Sequence, residues 1–117
     1  MSFSSCSKKP NSFSPDQLIG KWKRSVTATD GTQGYDCYRY DEGGNGVTWD
    51  TSEDVSEVEA QPFEWTLNGD KLLIVHIGEM GQKIPKQYTI NQLTATILSY
   101  EDNYGTSFSF SKFTDEP

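Results

Sequence analysis

From Lys21 onward, large apolar or aromatic residues recur at every second position, in short runs broken by glycine and asparagine. Period two sends successive side chains to opposite faces of an extended strand, so each run buries one face and wets the other. Eight runs fit this pattern, at about 20–28, 34–41, 46–51, 61–67, 71–78, 85–91, 95–101 and 105–113. Between them Asp30-Gly31, Gly43-Gly44-Asn45-Gly46, Asn68-Gly69-Asp70, the stretch from Gly78 to Gly81, and Asn103-Tyr104-Gly105 supply residues that tolerate tight reversals. Short turns imply sequential antiparallel pairing. The link from Asn91 to Ala95 has no glycine, and the one long connection runs from Ser52 to Ala60. Composition points the same way: three Ala stand against 15 aromatics and 11 Thr, residue types that favour sheets.

The apolar faces predict the interior. They carry Trp22; Tyr38 and Tyr40; Val47 and Trp49; Phe63, Trp65 and Leu67; Leu72, Ile74 and His76; Tyr88 and Ile90; Leu98 and Tyr100; Phe108 and Phe110. Eight consecutive strands with one interior face close most simply into an up-and-down antiparallel barrel, which removes both sheet edges. A two-sheet sandwich is the alternative, but it normally needs long crossovers and only one long connection is present. Ahead of the strands, Ser14-Pro15-Asp16-Gln17-Leu18-Ile19-Gly20 combines an N-cap, an early proline, an acid in the first turn and a glycine stop, which predicts one helical turn near 15–19. Residues 1–13, rich in Ser with Lys8, Lys9 and Pro10, read as a flexible tether, and residues 14–117 as one all-β domain.

Charge and residue counts remove several function classes. The chain has 10 Lys+Arg against 17 Asp+Glu, and residues 30–64 hold ten acids against Arg39 alone, which argues against the phosphate neutralisation of a nucleic-acid binder. One His and two distant Cys do not make a zinc site. Asp50, Ser52 and Asp54 alternate as in a calcium loop, yet Val55 stands where glycine is required and Gln61 where glutamate is. No Gly-x-Ser-x-Gly elbow occurs and Glu79 falls beyond the strand carrying His76, so neither enzyme chemistry nor a cofactor is implied. No apolar run approaches the roughly 18 residues of a membrane-spanning helix.

Several segments are familiar in their order: Leu18-Ile19-Gly20-Lys21-Trp22-Lys23, with the Gly-x-Trp of lipocalin first strands, then Tyr38 to Gly46, Phe63 to Leu72, and Tyr88-Thr89-Ile90. Together, over roughly residues 14–113, they resemble the lipocalin-like domains of Bacteroidetes cell-envelope lipoproteins. The resemblance implies a short eight-stranded barrel with a helical turn closing one end and Trp22 on its floor. In lipocalins an Arg late in the last strand stacks on that ring; here the counterpart is Lys112, a poorer stacking partner, which leaves the floor motif incomplete. Ser4-Ser5-Cys6 resembles the end of a lipoprotein signal, which implies acylation at Cys6. Since no acidic cluster follows, the resemblance implies a periplasmic anchor, with contact to the membrane only through the lipid.

The remaining candidates concern binding. Ten aromatics fill much of an eight-stranded barrel, so a ligand is small or sits at the mouth. A small hydrophobic or amphipathic molecule against Tyr40, Trp65 and Tyr88, with His76 as polar anchor, is one expectation. The other is a filled barrel serving as an interaction module, monomer or weak homodimer, through the outer row Leu73, Val75 and Ile77. Cys37 is out of phase with Tyr38 and Tyr40 and reads as outward or in a small outer cluster; a disulfide to Cys6 stays open and would conflict with acylation.

Overall fold

The computed structural model describes residues 13–114. Cys6 and the tether up to residue 12 lie outside the described residues. Phe13, the last tether position, packs against the core, and its N–H donates to the Gly69 carbonyl at 3.2 Å.

One helical turn, α1 (Pro15–Leu18), precedes eight strands: β1 (Gly20–Thr27), β2 (Gln33–Asp41), β3 (Asn45–Asp50), β4 (Gln61–Asn68), β5 (Lys71–Ile77), β6 (Lys83–Leu93), β7 (Ile97–Glu101) and β8 (Ser107–Phe113). Each pairs antiparallel with the next, and β8 returns to β1, closing the barrel in chain order. The alternation thus folds as it reads in every strand but β3. The strand whose bounds differ most is β6, which starts at Lys83 and runs to Leu93 through a register shift between Ile90 and Gln92. The glycine-free turn after it is built by Thr94, whose hydroxyl accepts from the Thr96 and Ile97 N–H groups at 3.2 and 3.0 Å.

The floor is assembled from α1 and the start of β1. Ser14 caps the turn, its hydroxyl accepting from Asp16 N–H at 3.3 Å while Gln17 Oε1 accepts from Ser14 N–H at 3.1 Å. That fixes Leu18, fully buried, whose carbonyl accepts from Trp22 Nε1 at 2.9 Å. Lys112 completes the floor after all: its ammonium lies 4.9 Å from the Trp22 ring centre and donates to the Ile19 carbonyl at 2.7 Å. Trp22, Trp65 and Phe110 share one core with Tyr40, Phe63, Leu72, Ile74, Tyr88, Ile90, Leu98 and Tyr100.

Strand β3 corrects the sequence reading. Tyr38 registers with Thr48 and Tyr40 with Gly46, so the inward positions of β3 are Thr48 and Gly46, while Val47 and Trp49 stand outside opposite Arg39 and Cys37. Gly46 is small for a reason: a side chain there would strike the Phe63 ring, which fills that part of the interior. Trp49 is nonetheless buried, 4% exposed, in a second cluster on the outer wall with the fully buried Cys37 and an edge contact to Phe113. The long connection covers it with two 3-10 turns, Thr51–Glu53 and Glu57–Glu59. Glu57 pins this cover to the wall, accepting from Lys21 Nζ at 2.9 Å and Arg39 Nη1 at 2.8 Å. The calcium-like triplet is used locally: Asp50 Oδ1 accepts from the Ser52 N–H and hydroxyl at 2.9 and 2.6 Å, and Asp54 takes a left-handed backbone.

Candidate functional site

The end of the barrel opposite α1 is hollow. A cavity of about 480 Å³ is lined by Arg24, Asp36, Tyr38, His76, Ile84, Lys86, Tyr88, Tyr100, Phe108 and Phe110. Each comes from an inward position of its strand. Arg24 follows Trp22 by two, Asp36 precedes Tyr38 by two, and Lys86 precedes Tyr88 by two, so the parity that builds the core continues past it with polar residues.

Rings form the lower wall. Tyr88 and Tyr100 lie 4.4 Å apart between centres, Phe108 is 5.9 Å from Tyr88, and Phe110 meets Tyr38 edge-on at 5.7 Å. Burial raises the phenol pKa values of Tyr38, Tyr88 and Tyr100, so these hydroxyls stay protonated and can donate as well as accept.

Charged groups form the upper wall. Arg24 Nε and Asp36 Oδ2 pair at 3.3 Å across β1 and β2, and the guanidinium lies 5.0 Å from the Phe108 ring centre. Burial raises the Asp36 pKa against the opposing pull of Arg24, and the neighbouring Asp50 adds to the rise. His76, half-buried, is 6.2 Å from both Tyr38 and Phe63 ring centres. Its pKa is lowered, first by burial and then by the positive charge of Lys86. Among the described residues no group of three or more His, Cys, Asp or Glu is placed to hold a metal ion.

Of the residues expected at the site, His76 and Tyr88 meet in this cavity, and Tyr40 and Trp65 do not line it. Both are pulled into the packed floor, where their ring centres are 5.6 Å apart and Trp65 Nε1 donates to the Asn45 carbonyl at 2.9 Å. The Tyr40 hydroxyl is buried beside the Tyr100 side chain without a well-formed hydrogen bond. Arg24, Asp36 and Lys86 were absent from the expected site, although strand parity alone places them inward. Leu73, Val75 and Ile77 lie half-buried on the outer face, opposite Gln87, Pro85 and Lys83.

A closed eight-stranded up-and-down antiparallel barrel with one short helical turn at its floor is a lipocalin-like fold. Solved structures agree. The chain is similar to a lipocalin-like protein from Bacteroides thetaiotaomicron at 23% identity, with a TM-score of 0.58, over 83% of this chain and 97% of that one. It is also similar to a protein from Bacteroides uniformis at 19% identity, with a TM-score of 0.63, over 90% of this chain and 96% of that one. No family model matches the chain, and no curated protein sequence does.

Proposed function

We propose that this protein binds a small amphipathic molecule in the mouth of its barrel. The observation that carries the reading is the cavity of about 480 Å³ on an aromatic base of Tyr38, Tyr88, Tyr100, Phe108 and Phe110. Ligand pockets commonly fall in the range of roughly 300–1,000 Å³ and combine apolar walls with a few polar groups, as here. Tyr88 supports an apolar body from the base, and the polar end points to the rim. The test uses the neutral probe phenylnaphthylamine with isotope-labelled protein. Its fluorescence is expected to rise and shift to the blue, with amide shifts concentrated at Tyr38, His76, Tyr88 and Phe108, and Phe108→Ala should weaken it. Shifts confined to the outer row Leu73, Val75 and Ile77 would overturn the reading.

The envelope-lipoprotein part of the proposal rests on Ser4-Ser5-Cys6. Incorporation of a fatty-acid probe in cells, abolished by Cys6→Ser, is the expected result; label retained by that variant would overturn it.

A further inference from the structure

Every described lysine except one is engaged. Lys21 pairs with Glu57, Lys71 with Asp70 and Lys83 with Glu64. Lys23 lies over the Tyr35 ring at 4.5 Å, and Lys112 over Trp22. Both arginines are paired as well, Arg24 with Asp36 and Arg39 with Asp41 and Glu57. Lys86 alone has neither acid, carbonyl nor ring among the described residues, in a chain whose formal charge is −7. It is also on the inward parity of β6, opposite Ile74, and lines the cavity with His76 from the adjacent strand.

Lys86 is exposed at the rim and borders the cavity without an acid partner, so its ammonium is free to meet an anionic group there. The acids within reach are committed elsewhere. Asp36 is paired with Arg24, and Asp102, which borders a neighbouring groove with Lys86, turns its Oδ1 to the Tyr104 and Thr106 N–H groups at 2.9 Å each. His76 has no hydrogen-bond partner among the described residues, so its ring can donate one hydrogen bond while neutral and two when protonated.

We propose that Lys86 and His76 form an anion seat at the rim, so that the ligand is an amphipathic anion, an aromatic or aliphatic body carrying a carboxylate or sulfonate. This inference rests on the mouth-binding reading and adds the chemical class. The apolar body lies on Tyr88, Tyr100 and Phe108, and the anionic group meets the Lys86 ammonium and the His76 ring. Arg24 stays with Asp36, and its guanidinium over Phe108 extends the flat wall.

Two probes of the same shape separate the claims: anilinonaphthalene sulfonate and its neutral counterpart phenylnaphthylamine. The sulfonate is expected to bind more tightly than the neutral probe. Lys86→Gln should weaken the sulfonate about three- to fivefold and leave the neutral probe within twofold, as loss of a charge-assisted contact at an exposed rim predicts. Lys86→Arg should retain most of the sulfonate affinity, and Lys86, exposed at the rim, can be replaced without disturbing the core. Neutral probe bound in the mouth with the sulfonate no tighter, or sulfonate binding indifferent to Lys86→Gln, overturns the anion seat alone. Failure of both probes to shift mouth amides overturns the mouth reading and the seat together.

Discussion

Gly20 leaves the space through which Lys112 reaches the barrel floor: a Cβ built on Gly20 would stand 2.6 Å from Lys112 Cε. Gly20 also holds φ at +129°, a conformation that other residues adopt only with strain. The glycine of Gly-x-Trp therefore serves the lysine at the far end of the chain. Gly20→Ala is expected to destabilise the barrel by about 1–3 kcal/mol, through strain and displacement of Lys112. Lys112→Met, which keeps the stem and removes the charge, should cost about 1–2 kcal/mol through the lost contacts to Trp22 and the Ile19 carbonyl. Urea unfolding with intrinsic tryptophan fluorescence measures both. A neutral Gly20→Ala would show that Lys112 has another route.

The buried Tyr40 hydroxyl makes an opposite prediction. Removing a polar atom that has no well-formed hydrogen bond relieves a desolvation cost, so Tyr40→Phe should leave stability unchanged or raise it by up to about 1 kcal/mol. The floor packing with Phe63 and Trp65 is retained. Thermal and urea unfolding decide it. A loss above about 1 kcal/mol would mean that the hydroxyl is satisfied.

His76 and Glu57 give stability two separate dependences on pH. The folded pKa of His76 is depressed, by burial and then Lys86, below its unfolded value near 6.5. At intermediate pH the unfolded chain therefore binds the extra proton, and the contribution of neutral His76 is full above about 6.5 and lost as pH falls through the folded value. Asp36, Arg24, Tyr38 and Tyr88 face the same cavity; the raised pKa of Asp36 acts with opposite sign, since protonation relieves its burial. An NMR titration should place His76 below its unfolded value, and Lys86→Gln should raise it. A His76 pKa at or above the unfolded value in the free protein would refute this.

Glu57 is lowered from the ordinary value of 4.5, chiefly by its hydrogen bond from Lys21, against burial and with further help from Arg39. Its stabilisation is present above that ordinary value and lost as pH falls through the lower folded one. Glu57→Gln should loosen the cover over Trp49, giving a red-shifted tryptophan emission near neutral pH and weakening the acid dependence below pH about 4.5. Unchanged emission would show that the cover holds without its two ion pairs.

Beneath that cover, burial and then the neighbouring Asp36 raise the Cys37 thiol to about 12. Since the thiolate is the reactive form, Cys37 in a Cys6→Ser chain should resist alkylation near neutral pH until the protein unfolds. Stoichiometric labelling of the native chain within minutes would contradict this.

Eight strands, their order and their antiparallel pairing were legible because alternation and turn residues agree over most of the chain. The error at β3 has a physical source. Val47 and Trp49 are the large apolar residues of their run, and the largest side chains ordinarily mark the interior. Here the long connection folds back over the outer wall, giving that face a core of its own. Cys37 carried the signal, since its phase put it outside and its strand partner is Trp49. The site was only half legible. His76 and Tyr88 met as expected, but the number of aromatics could not tell which rings fill the floor and which bound the hollow. Strand parity places Lys86 on the inward face opposite Ile74, whereas a lysine in a strand ordinarily reads as a solvent-facing residue.

The seam of the barrel is its shortest pairing: β1 registers with β2 over eight positions and with β8 over only three, Lys21 to Lys23. Strand β8 is therefore expected to breathe ahead of the rest, its seam amides exchanging with solvent through an opening that leaves β4 to β6 protected. That same strand carries Phe108 and Phe110, two of the rings against which a guest would lie. The three seam pairs lie at the floor whereas Phe108 and Phe110 reach the mouth, so a guest that bridges β8 to the opposite wall is expected to hold the part of β8 that has no pairing to β1 and to slow exchange along it.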